Sequence, residues 1–479
     1  MNNFFSFIII TLFTCQTALF SQGNRRNPGL SDRQLLELLN DTTRRTTRIG
    51  LSNLAYVPPP AGAKYIEVRS VDPAAPPAII DIVGNLNNKK TFKLSDIASS
   101  VKYIQLQPPP GIKFTSSIIR DVLTDDEHIF VNTWEGLFCY TAEGQYLYPL
   151  TINETDSGRY GISIQSGVAN NFGAFTNNID LSNGNLIFCT HHKTAADDRI
   201  NEFWMNVIDV KELDTQMRFN FQSGELKANF AQPISQRRIS PANIRRGFMM
   251  MDDQSLFSIN SLTGTMTSID ITGDTLCKFN DYDRPESSRV VNFPSLYRIN
   301  GKVMLRKSYN DTIFRVEPPN RFVPAYVMQW GAFKPDVIQH ASGADLEGKL
   351  VFSKWTETSR YIFIEYTEGR NYPIRLRQGK VGFHWAIYDK VAKTLTHILA
   401  STTPAMIGDS VFPPLIENDI DPVGMPFWPE GVNHKDNMYM TFSKEQISRY
   451  ITTGKFRNDK LQAIHNNMPD GGFCIMVVK

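Results

Sequence analysis

Two adjacent histidines, His191 and His192, are the residues best suited by type to acid–base or metal chemistry. They end a predicted strand and begin a long polar loop. An imidazole can act as a general base or bind a metal, but adjacent strand residues point to opposite faces, so at most one would enter a site. The alternative is a solvated loop histidine, because no other clustered histidine completes a metal shell.

Carboxylate pairs offer a second kind of chemistry. Asp252–Asp253 and Asp419-x-Asp421 carry hard oxygen ligands of the kind that calcium prefers. Short acidic pairs are also common turn formers, because their side chains accept hydrogen bonds from the backbone. We predict the structural role for both pairs, and neither a metal nor a cofactor.

Aromatic side chains are candidates for ligand stacking. Trp134 and the pair Phe427–Trp428 can stack on a sugar ring or a peptide, although core packing explains them equally well. His384 lies in the middle of a predicted strand beside Trp385. There we expect a structural, hydrogen-bonded histidine.

The elements that would position these residues are short strands. Residues 116–150 form a predicted meander of four strands, in which Ile129 and Val131 point to one face and Phe130 and Asn132 to the other. One such meander is too small to bury a core, so the unit must be repeated.

Similar units recur along the chain. The second is predicted to end in a fourth strand at 217–221. The third strands of the units are marked by Leu137, Phe203, Leu256, Ile313, His384 and Phe473. Six such units without alternating long helices predict an all-β fold, a six-bladed β-propeller of four-stranded antiparallel blades at residues 63–479.

Closure of the propeller is predicted to use an N-terminal strand. The last unit has three strands, and Val101–Leu106 can supply the fourth, which would remove an open sheet edge. Within that unit, Ser443–Asp470 is an insertion that begins with a capping box, Ser443 to Gln446, and predicts two short helices.

In a propeller, connections from second to third strands and links between blades lie at one end. That end usually forms a ligand funnel, and we expect several candidate residues to converge there. They are Trp134, Glu135, His191, His192, Asp252, Asp253, Lys307, Tyr309, Arg370, Asp419 and Asp421.

Composition and the N-terminal sequence limit location and partners. With 50 Lys+Arg against 48 Asp+Glu, the formal charge of +2 gives no field that would attract nucleic acid. Residues 1–22 carry no charge, and their apolar run from Phe4 to Phe13 is too short to span a bilayer, so we predict an export signal there and, at 23–62, a linker with one short helix. We expect a monomer without a transmembrane helix, either released or, as the less favoured alternative, lipid-anchored at Cys15.

The other four cysteines carry no metal or redox signal. Cys139, Cys189, Cys277 and Cys474 lie far apart beside apolar runs and lack C-x-x-C spacing. We interpret them as buried strand thiols. Export permits a disulfide but the spacing does not indicate one.

Five segments carry a family resemblance: KLSDIASSVKYIQLQ, DDEHIFVNTWEGLFCYTAEGQYL, YNDTIFRV, ETSRYIFIEY and NDIDPVGMPFWPEGV. Over about Lys93–Lys479 the chain resembles the exported six-bladed β-propeller proteins of Bacteroidetes, many of them classed as domains of unknown function. The resemblance implies the propeller fold and a periplasmic or cell-surface location. It implies no catalytic residues.

Two main classes of function remain open, beside a third possibility, a purely structural component of the cell envelope. The first is a ligand-binding or protein-interaction propeller whose polar funnel takes a glycan, a peptide or an envelope protein. The alternative is a glycan- or small-molecule-directed hydrolase or lyase that pairs His191 or His192 with a carboxylate of Asp252 or Asp419. An enzyme needs these groups within hydrogen-bonding reach, so their convergence separates the two classes.

Overall fold

The computed structural model describes short strands and few helices. The described residues are 68–69, 71–109, 119–133, 137–154, 160–163, 179–193, 200–214, 235–239, 248–251, 255–260, 265–269, 275–280, 295–307, 310–336, 346–369, 382–399, 406–407, 410–411, 416–452 and 459–479. The predicted signal peptide and linker lie outside them.

Four N-terminal strands precede the repeated sheets: β1 (Val68–Arg69), β2 (Ala78–Asp81), β3 (Lys89–Lys90) and β4 (Val101–Leu106). Blade 1 follows with β5 (Ile119–Thr124), β6 (His128–Thr133), β7 (Leu137–Thr141), β8 (Tyr146–Glu154) and β9 (Tyr160–Ser163). Blade 2 contains β10 (Ile179–Ser182), β11 (Asn185–Lys193), β12 (Ile200–Asp209) and β13 (Ser235–Ile239). Blade 3 contains β14 (Phe248–Met250), β15 (Leu256–Asn260), β16 (Thr265–Ile269) and β17 (Thr275–Asn280).

Three further blades complete the series. Blade 4 contains β18 (Ser295–Ile299), β19 (Lys302–Arg306), β20 (Thr312–Glu317) and β21 (Arg321–Gln329). Blade 5 contains β22 (Leu350–Glu357), β23 (Tyr361–Glu368), β24 (Gly382–Asp389) and β25 (Thr394–Ile398). A small hairpin, β26 (Met406–Ile407) and β27 (Ser410–Val411), precedes blade 6, which contains β28 (Gly431–Val432), β29 (Met438–Ser443), β30 (Phe473–Val478) and β4. The fold is a six-bladed β-propeller, as the sequence predicts.

The predicted closure strand is confirmed. β4 pairs antiparallel with β30 along its whole length, from Val101 opposite Val478 to Leu106 opposite Phe473. The Lys479 carbonyl also accepts hydrogen bonds from the backbone N–H groups of Ser99 and Ser100. Blade 6 therefore contains both the N-terminal closing strand and the C-terminal strand.

The helical insertion of blade 6 is confirmed as well. Helices α1 (Lys444–Thr452) and α2 (Asp459–Asn467) connect β29 to β30. The backbone N–H of Ser443 donates to Gln446 Oε1 at 2.8 Å and the backbone N–H of Gln446 donates to Ser443 Oγ at 3.2 Å, which is the predicted capping box. Ile447 of α1 and Leu461 of α2 are both buried, so one apolar side chain anchors each helix.

Two predicted strand positions are wrong. Leu256 lies in the second strand of blade 3 rather than the third, because the three-residue β14 is the first strand and β16 is the third. β16 has the sequence TMTSI, and its small polar residues do not form the apolar run that predicts a buried strand. In blade 2 the fourth strand is β13, paired with β12, whereas 217–221 lies outside the described residues.

The two sides of β6 pack into different cores, as its alternation predicts. Phe130 joins a cluster with Leu186 and Ile208 of blade 2. Ile129 and Val131 join another, formed with β4 and β30. All six residues of β6 are buried, so the strand lies between two packed layers.

The chain divides into two compact units. One contains blades 4 and 5 with β1 to β3, the other contains blades 1, 2 and 6 with β4, and the strands of blade 3 are divided between them. In the first unit, β1 and β2 pair in parallel with β21, and β3 pairs in parallel with β25. These short strands cover the outer edges of blades 4 and 5, which protects those edges from pairing with another chain.

A glycine beside the closing strand gives a stability prediction. Gly144 has a φ of +90°, and a Cβ there would clash with the Gln105 carbonyl oxygen. We expect Gly144→Ala to lower the free energy of unfolding by about 2 kcal/mol or more, because backbone strain and a rigid backbone clash act together. Gly184→Ala is the matched control, since Gly184 has a φ of +75° and nothing within 4 Å of its Cβ position. Urea denaturation that gives equal losses for the two variants would contradict the predicted clash.

Candidate functional site

Several predicted site residues lie outside the described ranges: Trp134, Glu135, Asp252, Asp253, Tyr309 and Arg370. His191 and His192 lie in β11, where their backbones pair with Phe203 and Glu202. The side chains of the two histidines are not among those described. Whether either histidine faces a site therefore remains a prediction.

The connection that contains Asp252 and Asp253 joins β14 to β15. These are the first and second strands of blade 3, because Leu256 lies in a second strand. The sequence placed the pair at the same end as Trp134 on the assumption that it lies in a second-to-third connection. Blade 3 has a first-to-second connection at this point, so the reason for grouping the pair with Trp134 is lost.

Lys307 is fully buried, which is not the position of a residue on an open funnel wall. It follows β19, and its Nζ lies 5.4 Å from the ring centre of Phe322 and 5.9 Å from that of Phe314. A cation over aromatic faces is stabilised by their quadrupoles. Lys307 therefore contributes to the interior of blade 4.

Asp419 and Asp421 attach blade 6 to the N-terminal segment. Asp419 accepts hydrogen bonds from the backbone N–H of Ser95 at 3.0 Å and from its hydroxyl at 2.7 Å. These bonds lower the pKa of Asp419 below its ordinary value. Asp421 accepts from the Tyr103 hydroxyl at 3.2 Å and from the backbone N–H of Val423 at 2.7 Å. The Asp421–Val423 bond is the local turn contact that was predicted, whereas Asp419 bonds to a segment distant in the sequence.

Phe427 and Trp428 are packed in the interior and are not placed to stack on a ligand. Their exposed fractions are 0% and 2%. His384 stacks on Tyr366, with ring centres 4.9 Å apart. Burial lowers the pKa of His384, and its Nε2 lies 3.9 Å from Glu368 Oε1, beyond hydrogen-bonding distance.

An acidic residue that the sequence reading missed lies in blade 1. Asp121, in the first strand, is half-buried, and loss of water contact raises the pKa of its carboxyl to about 6, with a further contribution from Asp180. Asp180 is in the first strand of blade 2, and its Oδ2 accepts the Met250 backbone N–H at 2.7 Å. The Asp180 contact fixes β10 to β14, whereas the Asp121 carboxyl accepts the backbone N–H of its neighbour Val122 at 2.9 Å.

Polar residues are concentrated at the same end of blade 1. Asn132 lies opposite Asp121 in the strand register, and Thr133 ends β6. Both are buried, with 2% and 0% exposure. The next residues along the chain are the connection 134–136. Asp121, Asn132 and Thr133 therefore form a polar end of the blade directly before Trp134, and we call these three residues the polar end.

The opposite end of blade 1 carries a hydroxyl–imidazole–carboxylate contact. Thr124 Oγ1 lies 2.8 Å from His434 Nδ1, and His434 Nε2 lies 3.2 Å from Asp126 Oδ1. Asp126 is 77% exposed and also binds the Lys435 amine at 2.8 Å. Water and a competing cation weaken the hold of such a carboxylate on an imidazole, so the contact serves to tie the β5–β6 turn to the β28–β29 turn.

Two chemical features bear on a metal or thiol site. Within the described ranges, no three His, Cys, Asp or Glu side chains gather as a metal site would require. Cys139, Cys277 and Cys474 are buried, as predicted, and burial raises the pKa of Cys474 to about 12. A thiol held in its protonated form is a poor nucleophile.

The fold and the sequence now agree on a class of protein, a six-bladed β-propeller with a polar end on its first blade. The chain belongs to the family described as domain of unknown function DUF4933, whose profile matches residues 60–453. No curated protein matches it.

The chain is similar to several solved structures at low sequence identity, and the first of them, with a TM-score above 0.5, has the same fold. A putative exported protein from Bacteroides fragilis NCTC 9343 is 11% identical with a TM-score of 0.53, over 84% of this chain and 99% of that one. The extracellular domain of a putative one-component system from B. thetaiotaomicron is 12% identical, TM-score 0.33, over 60% and 31%. A virginiamycin B lyase from Staphylococcus aureus is 10% identical, TM-score 0.33, over 79% and 100%. In the described residues, no helix has the length and apolar character to cross a membrane.

Proposed function

We propose that this protein is an exported binding propeller whose ligand lies against the connection that follows β6. The polar end of blade 1 is the observation that carries the proposal. A core strand normally ends in apolar residues, whereas here a buried amide and a buried hydroxyl end β6 directly before Trp134 in the chain, with a half-buried carboxyl opposite the amide in the strand register. Groups of this kind orient a polar ligand by hydrogen bonds.

The chemistry favours a ligand that combines an apolar face with hydroxyl or amide groups. Trp134 offers a ring for stacking, and the polar end offers one ionisable acceptor, one amide and one hydroxyl. A glycan and an extended peptide both meet this description. The predicted signal peptide supports export, and with it a ligand of the cell envelope or its surroundings.

A hydrolase or lyase finds less support. General acid–base catalysis needs two groups within reach of each other beside the substrate. Among the described residues, the hydroxyl–imidazole–carboxylate contact that has this geometry lies in exposed turns, at the His128 end of β6 rather than the Thr133 end. Binding without chemistry is therefore the function that we propose.

Titration of the protein with neutral oligosaccharides and short peptides, followed by calorimetry, tests the proposal. We expect Trp134→Ala to weaken binding by about tenfold or more while leaving the thermal midpoint nearly unchanged, because stacking on one indole contributes about 0.5 to 1.5 kcal/mol in addition to the apolar area that it buries. Trp428→Ala is the matched control, since Trp428 is buried and its loss should lower stability. If Trp134→Ala instead destabilises the fold and spares binding, Trp134 is a packing residue and the proposal fails.

The pH dependence of binding gives a second readout. An ionised carboxylate accepts stronger hydrogen bonds than a neutral one, and the pKa of Asp121 is about 6. We expect affinity to rise between pH 5 and pH 7, and Asp121→Asn to remove that rise. A pH profile that is the same in the wild type and in Asp121→Asn would place the ligand elsewhere.

A further inference from the structure

A buried histidine in the first blade lies between two carboxylates. His128 begins β6 and is 2% exposed. Its Nδ1 lies 3.1 Å from Asp125 Oδ1, and its Nε2 lies 3.4 Å from Asp214 Oδ1. The second contact has the distance of an ion pair without the alignment of a hydrogen bond. Both ring nitrogens therefore face negative charge.

This arrangement selects one protonation state of the ring. A neutral imidazole has one N–H and one lone pair, so one of its nitrogens would present a lone pair to a carboxylate. Only the doubly protonated ring presents an N–H to each. The geometry alone thus identifies the folded form as the one in which His128 is a cation.

Both carboxylates have further hydrogen-bond donors, and those of Asp125 lower its pKa. Asp125 Oδ1 also accepts the backbone N–H groups of Glu127 at 2.8 Å and His128 at 2.6 Å. Asp214 accepts the Tyr148 hydroxyl at 3.2 Å, and the Phe130 ring, centred 5.8 Å from the imidazole, covers another side. Burial by itself disfavours the imidazolium, but the hydrogen bond and charge of Asp125, together with the charge of Asp214, outweigh it and raise the pKa of His128 above its ordinary value.

The cation joins two blades. His128 and Asp125 belong to the β5–β6 hairpin of blade 1, whereas Asp214 lies in the helical turn 210–214 that follows β12 of blade 2. The apolar half of the same junction is the cluster in which Leu213 packs with Phe130 and others. The ion cluster and the apolar cluster thus hold the same turn against blade 1.

We propose that the junction of blades 1 and 2 is a proton-dependent latch, closed while His128 carries both protons and loosened when it loses one. The loosened element is the turn 210–214, because its link to blade 1 then depends on the apolar cluster and on the hydrogen bond from Tyr148 to Asp214. The latch is independent of the ligand site, which lies at the other end of β6.

The sign of the effect follows from linkage. A histidine whose pKa is raised in the folded state contributes stability that is fully present below its unfolded pKa of about 6.5. That contribution is lost as the pH rises through the folded value. The latch should therefore be closed in mildly acidic solution and open progressively above neutral pH.

Hydrogen exchange of the full chain at pH 5.5 and pH 8.5, corrected for the chemical rate at each pH, tests the latch. We expect amides of residues 210–214 to lose protection in the wild type as the pH rises, by about tenfold for each unit by which the pKa of His128 is raised. In His128→Gln the protection should be low at both pH values. Asp214→Asn should also lose the pH effect, and Tyr148→Phe should keep it because the charges remain.

A direct measurement guards against misfolding of the variants. In wild-type protein labelled with nitrogen-15 at histidine, the ring nitrogens of His128, identified by their absence in His128→Gln, should both report protonation at pH 6.5. A neutral ring at that pH overturns the proposal. So does an exchange profile of 210–214 that depends on pH equally in the wild type and in Asp214→Asn.

Discussion

Replacing Ile104 and Leu106 together by alanine is expected to lower the free energy of unfolding by about 4 kcal/mol or more. Each is buried on the inner side of β4, and truncation of a buried Ile or Leu costs about 2 to 5 kcal/mol. Neighbouring sites do not add strictly, so the double variant sets a minimum rather than a sum. The reason for so large an effect is that β4 is the strand through which the N-terminal segment completes blade 6.

The same strand supplies a control for this prediction. Lys102 lies in β4 with its side chain exposed, so Lys102→Ala keeps the strand and its hydrogen bonds while removing only a solvated chain. Its free energy of unfolding in urea denaturation should match that of the wild type within about 0.5 kcal/mol. A double variant that unfolds at the same urea concentration as Lys102→Ala would show that closure by β4 contributes little.

The second large effect is expected at Glu357, a carboxylate in blade 5 with 3% exposure. Its Oε1 accepts from the Tyr326 hydroxyl and the Lys390 amine, both at 2.6 Å. Its Oε2 accepts from the Tyr297 hydroxyl at 2.7 Å and the Trp355 indole N–H at 3.2 Å. Four donors on one carboxylate explain how a charge is accommodated in the interior.

Glu357→Gln is expected to cost about 3 kcal/mol in urea denaturation. A tyrosine hydroxyl can reverse and accept a hydrogen bond, but an indole N–H and an ammonium can only donate. In either orientation, the glutamine NH₂ would therefore face a donor that cannot reverse, Trp355 or Lys390. Glu347→Gln is the control, because Glu347 is exposed. Equal stabilities of the two variants would mean that the four contacts add nothing net.

The propeller could be predicted from the sequence because its strands follow local rules. Five of the six third-strand markers lie in third strands, and the closing strand and the capped helix are where the alternation and the capping box place them. The marker that failed, Leu256, failed because buried Thr267 and Ser268 occupy β16. Propensity could not reveal a strand whose burial is decided by its neighbours.

The edge strands and the latch could not be predicted. β1 and β3 are two residues long, and Lys89 and Lys90 are exposed charges without periodicity. Asp214 is distant in the sequence from His128, so nothing local connects them, although Asp125 three residues before His128 was a visible partner. The candidate site was predicted from the order of strands and connections in each blade. The connection 134–136 joins a second strand to a third as predicted, whereas the connection that contains Asp252 joins a first strand to a second.

The buried polar groups of the first blade have two separate roles. At the start of β6, the His128 imidazole lies between the carboxylates of Asp125 and Asp214, an arrangement that suits a structural junction. At its end, the polar end of Asp121, Asn132 and Thr133 lies beside a connection that contains an aromatic residue. A strand of six residues spans about 20 Å, so the two groups can be altered separately.

The most direct test of the proposed function is a structure of the protein with a bound oligosaccharide or peptide from the titration panel. We expect the ligand to contact Trp134 and to lie within hydrogen-bonding reach of the polar end of blade 1. A ligand bound at the turns that contain His434 and Asp126 would contradict the proposed binding site.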